Sequence, residues 1–211
     1  MAKRRKVGNL LGLHILAQLS IRPLHPYEIA AQLKAFGKDA DIKIQWGSLY
    51  TVVQNLEKHG FIEAAETVRE GRRPERTVYR LTPAGRDELT DWMRELVGTP
   101  AAEYPKLQAA LSVVGVLPPD EVIELFEQRL GILALENDKM RQDLRTLVHE
   151  VPRLFLVEAE YRLAMREAEV AWITALLDEL RTGTMPGMAT WRRIHETGQL
   201  PEDLSDFMTE T

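Results

Sequence analysis

The stretch Gln45–Gly60, QWGSLYTVVQNLEKHG, constrains the chain most. At about 100° per residue, Leu49, Val52, Val53 and Leu56 gather into one stripe of a short helix. Opposite the stripe stand Thr51, Gln54 and Lys58, with Ser48 and Asn55 on one flank and Tyr50 on the other. Ser48 lies near the helix start, and Gly60 follows His59 where a C′ glycine belongs. Such a helix must lay its stripe on a core and present hydroxyls, amides and one cation outward. Those groups match base edges and phosphate oxygens in a major groove. An ordinary amphipathic helix with a solvated face has the same pattern, so the neighbouring segments decide between the two.

Upstream, Asn9–Leu19 reads as a helix with Leu10, Leu13, Leu16 and Ala17 on one face. Pro23 and Pro26 interrupt it, and Pro26 suits the first turn of a second helix running to about Phe36. Residues 37–41 read as a loop and Ile42–Gln45 as a short extended piece. Two short helices, a turn and a third helix with a polar outer face make a helix-turn-helix.

Downstream, Phe61–Val68 and Thr77–Leu81 have strand character. Between and beside them lie Arg69, Arg72, Arg73 and Arg76, with Gly71 and Pro74 to turn the chain. A β-hairpin with a guanidinium-rich tip, directly after a groove-reading helix, is a wing. Arginine suits it because its planar fork grips phosphate and its flat cation enters a narrow minor groove.

Charge sharpens this reading. Residues 1–86 carry 15 Lys+Arg against 8 Asp+Glu, whereas residues 87–211 carry 12 against 24. The net −5 of the whole chain thus hides a basic front suited to a polyanion and an acidic back. Ala2–Lys6 reads as a basic, mobile arm. The chain has no cysteine, and hence no disulfide framework and no thiolate ligand or nucleophile. No apolar run approaches the roughly 18 residues a bilayer span requires, so no membrane partner and a cytoplasmic location are expected.

Residues 10–94 resemble the PadR family of transcriptional regulators. The matching stretches are LLGLHILAQLSIRPLHPYEIAAQL, WGSLYTVVQNLEKHGFIEA and RTVYRLTPAGRDELTDWM. They follow the family's Leu-Gly-Leu first helix, its Tyr-Glu-Ile second helix, its Gly-Ser-Leu-Tyr third helix and its Tyr-x-Leu-Thr-x-x-Gly junction. Pro26 stands where the family usually has Gly, a harmless change at a helix start. The resemblance implies a homodimeric winged-helix regulator, most often a repressor, relieved by a small molecule bound between its two domains. It makes Trp46, Trp92 and Trp172 candidates to line an effector pocket, although tryptophans at such spacing also suit ordinary core packing.

Thr82 and Pro83 open a further helix as N-cap and first residue, with Leu89, Trp92, Met93 and Leu96 on its apolar side. Gly98-Thr99-Pro100 ends it. The back half reads as helical: Glu103–Val116, then a long helix started by Pro118-Pro119-Asp120-Glu121 and running to about Glu150, then another to about Arg181. Two helices of about 30 residues give a layer and not a closed core, and a twin copy is the simplest cover. Leu125, Leu133, Met140, Tyr161, Ala168, Trp172 and Leu176 are the expected dimerisation residues. A helical bundle closed within one chain is the alternative.

Catalytic chemistry finds no support. The five histidines lack metal-ligand spacing, no glycine-rich phosphate loop occurs, and of four serines Ser48 alone is suggestively placed. No enzyme activity, metal or cofactor is expected. The expected fold is mainly α with a small β-hairpin wing. A winged helix-turn-helix domain over residues 1–98 precedes a long-helix dimerisation domain over 103–181 and a tail over 182–211. The expected function is sequence-specific DNA-binding regulation, as a repressor on a palindromic operator, with Ser48, Tyr50, Thr51, Gln54, Asn55, Lys58 and the four wing arginines touching double-stranded DNA. The alternative is a helical interaction module whose winged helix contacts protein.

Overall fold

The computed structural model describes residues 5–35, 37, 46–68 and 76–199. The chain divides into two compact units, Met1–Glu103 and Tyr104–Thr211.

In the first unit, α1 (Leu10–Leu19), α2 (Pro26–Ala35) and α3 (Trp46–Lys58) precede a hairpin of β1 (Ile62–Val68) and β2 (Arg76–Leu81), and α4 (Pro83–Gly98) follows. Asn9 caps α1 through a 2.9 Å bond from the Leu11 N–H to its side chain. The core is built from α1 (Leu11, Ile15, Leu16, Leu19), α2 (Ile29, Leu33) and the whole stripe of α3 (Leu49, Val52, Val53, Leu56). Side chains of this kind each contribute roughly 1.5–3 kcal/mol on full burial, which is why a 13-residue helix with an otherwise polar surface stays docked.

The two strands are antiparallel, with Ile62 opposite Leu81 and Val68 opposite Arg76 and an irregularity between Ala64 and Glu66. Leu24, between α1 and α2, bridges to Tyr79 through N–H···O bonds of 3.0 Å in both directions, so the helix-turn-helix and the hairpin share one backbone ladder. Gly60 takes φ +73°, the left-handed conformation that stops α3 and turns the chain into β1. The expected loop and extended piece at 38–45 and the hairpin tip at 69–75 lie outside the described residues.

In the second unit, α5 (Lys106–Leu111) leads through a 3-10 turn (Val114–Val116) into α6 (Pro119–Leu147). A second 3-10 turn (Arg153–Phe155) then leads into α7 (Val157–Thr182), and α8 (Met188–Thr197) follows. The helix expected over 103–116 is shorter than its periodicity implied. Pro105 pushes Tyr104 out of the helical region, and the Val113-Val114-Gly115 run favours a tighter turn. α6 and α7 form a hairpin around Val122, Phe126, Leu133, Ile173, Leu177 and Leu180.

Ion pairs cross that hairpin: Arg129 to Glu169 at 2.6 Å, Arg141 to Glu167 at 2.8 Å, and Arg166 to Glu136. The Nε of Arg166 also donates to the side-chain oxygen of buried Asn137 at 2.8 Å, which satisfies a polar group inside the seam. Part of the expected tail is α8. Its Met188 and Trp191 join the α6–α7 core, and the Trp191 indole N–H donates to the Leu117 carbonyl at 2.9 Å. No helix among the described residues is long and apolar enough to cross a membrane.

Candidate nucleic-acid interface

The outer face of α3 is open. With its apolar stripe buried, Tyr50, Thr51, Gln54, Asn55 and Lys58 are all exposed, and Ser48 is half-buried as the third residue of the helix. These side chains lie within about three turns of one helix, the length of α-helix a major groove admits. The Thr51 hydroxyl donates to the Gly47 carbonyl at 2.8 Å, back along the helix. Gln54 and Asn55 carry the two exposed amides of the face.

The hairpin begins within four residues of this helix, and Tyr79 links the two. Its phenol donates to Glu57 at 3.4 Å. Burial first, and then the Glu57 carboxylate, raise the phenol's pKa above its ordinary value. Arg69, Arg72 and Arg73 lie outside the described residues; Arg76 starts β2, and its side chain is likewise outside them. Arg80 on β2 is exposed and paired with Glu63 across the strands at 2.8 Å.

α4 closes the unit. Thr82 caps it by accepting the Gly85 N–H at 3.0 Å, and the same hydroxyl donates to the Gly60 carbonyl at 2.6 Å. One threonine thus ties the end of α3 to the start of α4.

The basic arm has an unforeseen root. The side chain of Arg5 is only 5% exposed and donates to Glu88 at 2.8 Å, to Asp91 at 3.3 Å and to Glu95, all along one face of α4. Its guanidinium also lies 5.3 Å from the centre of the Trp92 ring. Burial disfavours the charge, but the hydrogen bonds to Glu88 and Glu95 outweigh that cost and raise the pKa of Arg5 above its usual value. Reading Arg5 as part of a mobile basic run missed this. The available signal was three acids at 88, 91 and 95 beside a tryptophan, which needs a cation from elsewhere. Arg5→Ala is expected to lower the stability of the first unit by about 1–3 kcal/mol in urea unfolding, since it leaves three partly solvated carboxylates uncompensated. Arg5→Lys should recover only part, because an ammonium can neither fork across the acids nor stack on the ring. Unchanged stability in Arg5→Ala would reduce the cluster to surface decoration.

The three tryptophans do not behave alike. Trp92 is 4% exposed beneath Arg5, a core residue of the first unit. Trp172, on α7 of the second unit, is 48% exposed. The side chain of Trp46 lies outside the described residues. Of the expected dimerisation residues, Leu125, Tyr161, Ala168 and Trp172 are exposed and Met140 is half-buried. Leu133 is buried in the α6–α7 core and Leu176 packs against it, so these two are covered within one chain.

Comparison with known proteins agrees with this architecture. The model of the transcriptional regulator PadR-like family matches residues 14–91. Transcriptional regulator Rv3488 of Mycobacterium tuberculosis (strain ATCC 25618 / H37Rv) is 34% identical over 84 residues, which cover 40% of this chain and 73% of that protein. The crystal structure of Bacillus subtilis PadR in complex with operator DNA superposes with a TM-score of 0.68 at 20% identity, over 82% of this chain and 99% of that one. The same protein in complex with p-coumaric acid gives 0.66 at 19% identity, over 82% and 99%. At such identity the two structures speak for the fold alone: a mainly helical, winged helix-turn-helix protein. The family is carried by the ordered motifs from His14 to Asp91 and by the mycobacterial relative. This chain belongs to the PadR-like family of transcriptional regulators.

Proposed function

We propose that this chain is a sequence-specific DNA-binding repressor that works as a homodimer on a palindromic operator and is released by a small-molecule effector. The observation that carries the reading is the outer face of α3, whose hydroxyls and amides are exposed above a fully buried stripe. B. subtilis PadR supports it by analogy, having been crystallised with operator DNA and with p-coumaric acid. Each protomer reads one half-site with α3, and the two half-sites lie about one duplex turn or a little more apart. The wing arginines Arg69, Arg72, Arg73 and Arg76 bind phosphate or the minor groove beside it. Tyr50 and Lys58 grip the backbone, since a phenol and a flexible ammonium discriminate bases poorly. Ser48 offers its hydroxyl to phosphate, Thr51 can do so once its hydroxyl leaves the Gly47 carbonyl, and the Thr51 methyl can meet a thymine. A role for Trp46, Trp92 and Trp172 in effector binding has little support while Trp92 is sealed under Arg5.

Gln54 is the base reader in this scheme, because an amide pairs bidentately with adenine N6 and N7. A footprint on the DNA upstream of its own gene identifies the operator, and titrations at one salt concentration follow. Gln54→Ala should cost about 1–3 kcal/mol on operator and much less on scrambled duplex. Equal losses on both would make Gln54 a backbone contact. Arg72→Ala combined with Arg73→Ala should instead weaken all sequences about equally. It should also shrink the slope of log affinity against log salt by roughly 0.9 per lost phosphate contact, up to about four in a dimer. An unchanged slope takes the wing out of the interface.

A further inference from the structure

The second unit holds a cleft of about 480 Å³ between α5, the 3-10 turn and the first half of α6. That volume falls within the roughly 300–1,000 Å³ of small-molecule sites. Its walls are Leu107, Ala110 and Leu111 from one side and Val122, Leu125 and Phe126 from the other, with Val113 and Val116 exposed at the turn. Arg129 is the single charged residue lining it, and its Nε and Nη2 are both engaged by Glu169 of α7, at 2.7 and 2.6 Å. Glu169 thus offsets the one cation at the edge of the cleft, and the rest of the lining offers an ionised ligand no charged partner.

The turn is also held from behind. The Trp191 indole N–H donates to the Leu117 carbonyl at 2.9 Å, His195 Nε2 lies 2.9 Å from the Gly115 carbonyl, and Arg192 pairs with Asp120 at 3.4 Å. Three side chains of α8 thus brace the wall of an apolar hollow whose mouth stays open. Bracing of this kind lowers the ordering cost of filling it.

We propose that this cleft binds an uncharged, largely hydrocarbon or aromatic small molecule. That its occupancy regulates anything rests on the DNA-binding reading above; the binding itself does not. The test titrates the full-length protein with N-phenyl-1-naphthylamine, an uncharged fluorescent probe, alongside sedimentation and DNA retention of the same samples. The expected result is saturable binding of one probe per chain, weakened about tenfold or more by Ala110→Trp, which fills the cleft from its exposed wall. Leu135→Ser, which removes an exposed apolar side chain of α6 that does not line the cleft, should leave the titration unchanged. Should Ala110→Trp fail to fold, Val113→Lys places a charge at the mouth and is expected to weaken the probe equally.

Non-saturable binding, or binding indifferent to both cleft variants, overturns the proposal. So does a change in the sedimentation of Ala110→Trp, because a second copy of the chain would then be what covers the cleft. Probe binding without DNA retention would leave the site standing and remove the regulator reading, and the converse would remove the site alone.

Discussion

Gly85→Ala is expected to unfold the first unit or to destabilise it by more than about 4 kcal/mol, in the tail of single-substitution effects. A Cβ built on Gly85 would lie 1.9 Å from the Phe61 carbonyl oxygen and 2.8 Å from Leu81 Cδ1. The first atom is backbone and is already committed, accepting the Thr82 N–H at 3.1 Å. It cannot swing away without surrendering the cap of α4 and the link between α3 and the hairpin. The helix would instead have to lift off, uncovering core that includes Phe61 and Leu81. Gly98, near the other end of the same helix, is the control. A Cβ there meets nothing within 4 Å, so Gly98→Ala should be neutral or stabilising by up to about 1 kcal/mol. Urea unfolding of the full chain followed by far-UV circular dichroism separates the cases. A Gly85→Ala protein within 1 kcal/mol of its parent would show that α4 packs more loosely than these distances demand.

Gly85 also marks what local sequence can and cannot say. Its place in the Tyr79-x-Leu81-Thr82-x-x-Gly85 motif was legible, and so was Thr82 as a cap, because both are short-range patterns. The reason for the glycine was not, because the atom it avoids belongs to a residue 24 positions earlier. The same division runs through the chain. The stripe of α3 could be read because a 3.6-residue period fixes which side is apolar. Arg5 could not, since its partners lie more than 80 residues away and an arginine in a basic run looks solvated. Leu133 and Leu176, expected at a dimer contact, are apolar positions of long helices, and such positions do not reveal whether their cover comes from the same chain. Here α6 and α7 cover each other along that seam. The candidate reading face was legible by default: its residues are those the core does not use.

A double substitution, Tyr161→Glu with Trp172→Glu, is expected to give a monomer near 24.1 kDa by sedimentation at micromolar concentration, where the parent is expected at twice that mass. The prediction follows from what α7 does with its two sides. Ile173, Leu177 and Leu180 face α6 and are fully buried. Tyr161, Met165 and Trp172 stay 66%, 50% and 48% exposed within one chain. With Ala168 they fall at steps of four, three and four, one continuous stripe on a helix. A large apolar stripe open to water is costly, and the small side chain of Ala168 leaves room for a second helix to approach. A standard interface buries roughly 800 Å² of each partner, so this stripe would form the centre of a larger contact. Glutamate at both aromatic positions sets like charges into the centre of that contact without touching the α6–α7 seam, so each chain should keep its helicity. The consequence for DNA is larger than any single base contact. Two half-sites read by one particle gain from an effective concentration in the millimolar range, and separating the protomers should lower operator affinity by about 10² to 10⁴. Non-specific binding by each separate winged helix should fall far less. A double variant that remains dimeric would move the interface elsewhere on the second unit, and one that becomes monomeric with undiminished operator affinity would remove the two-half-site geometry.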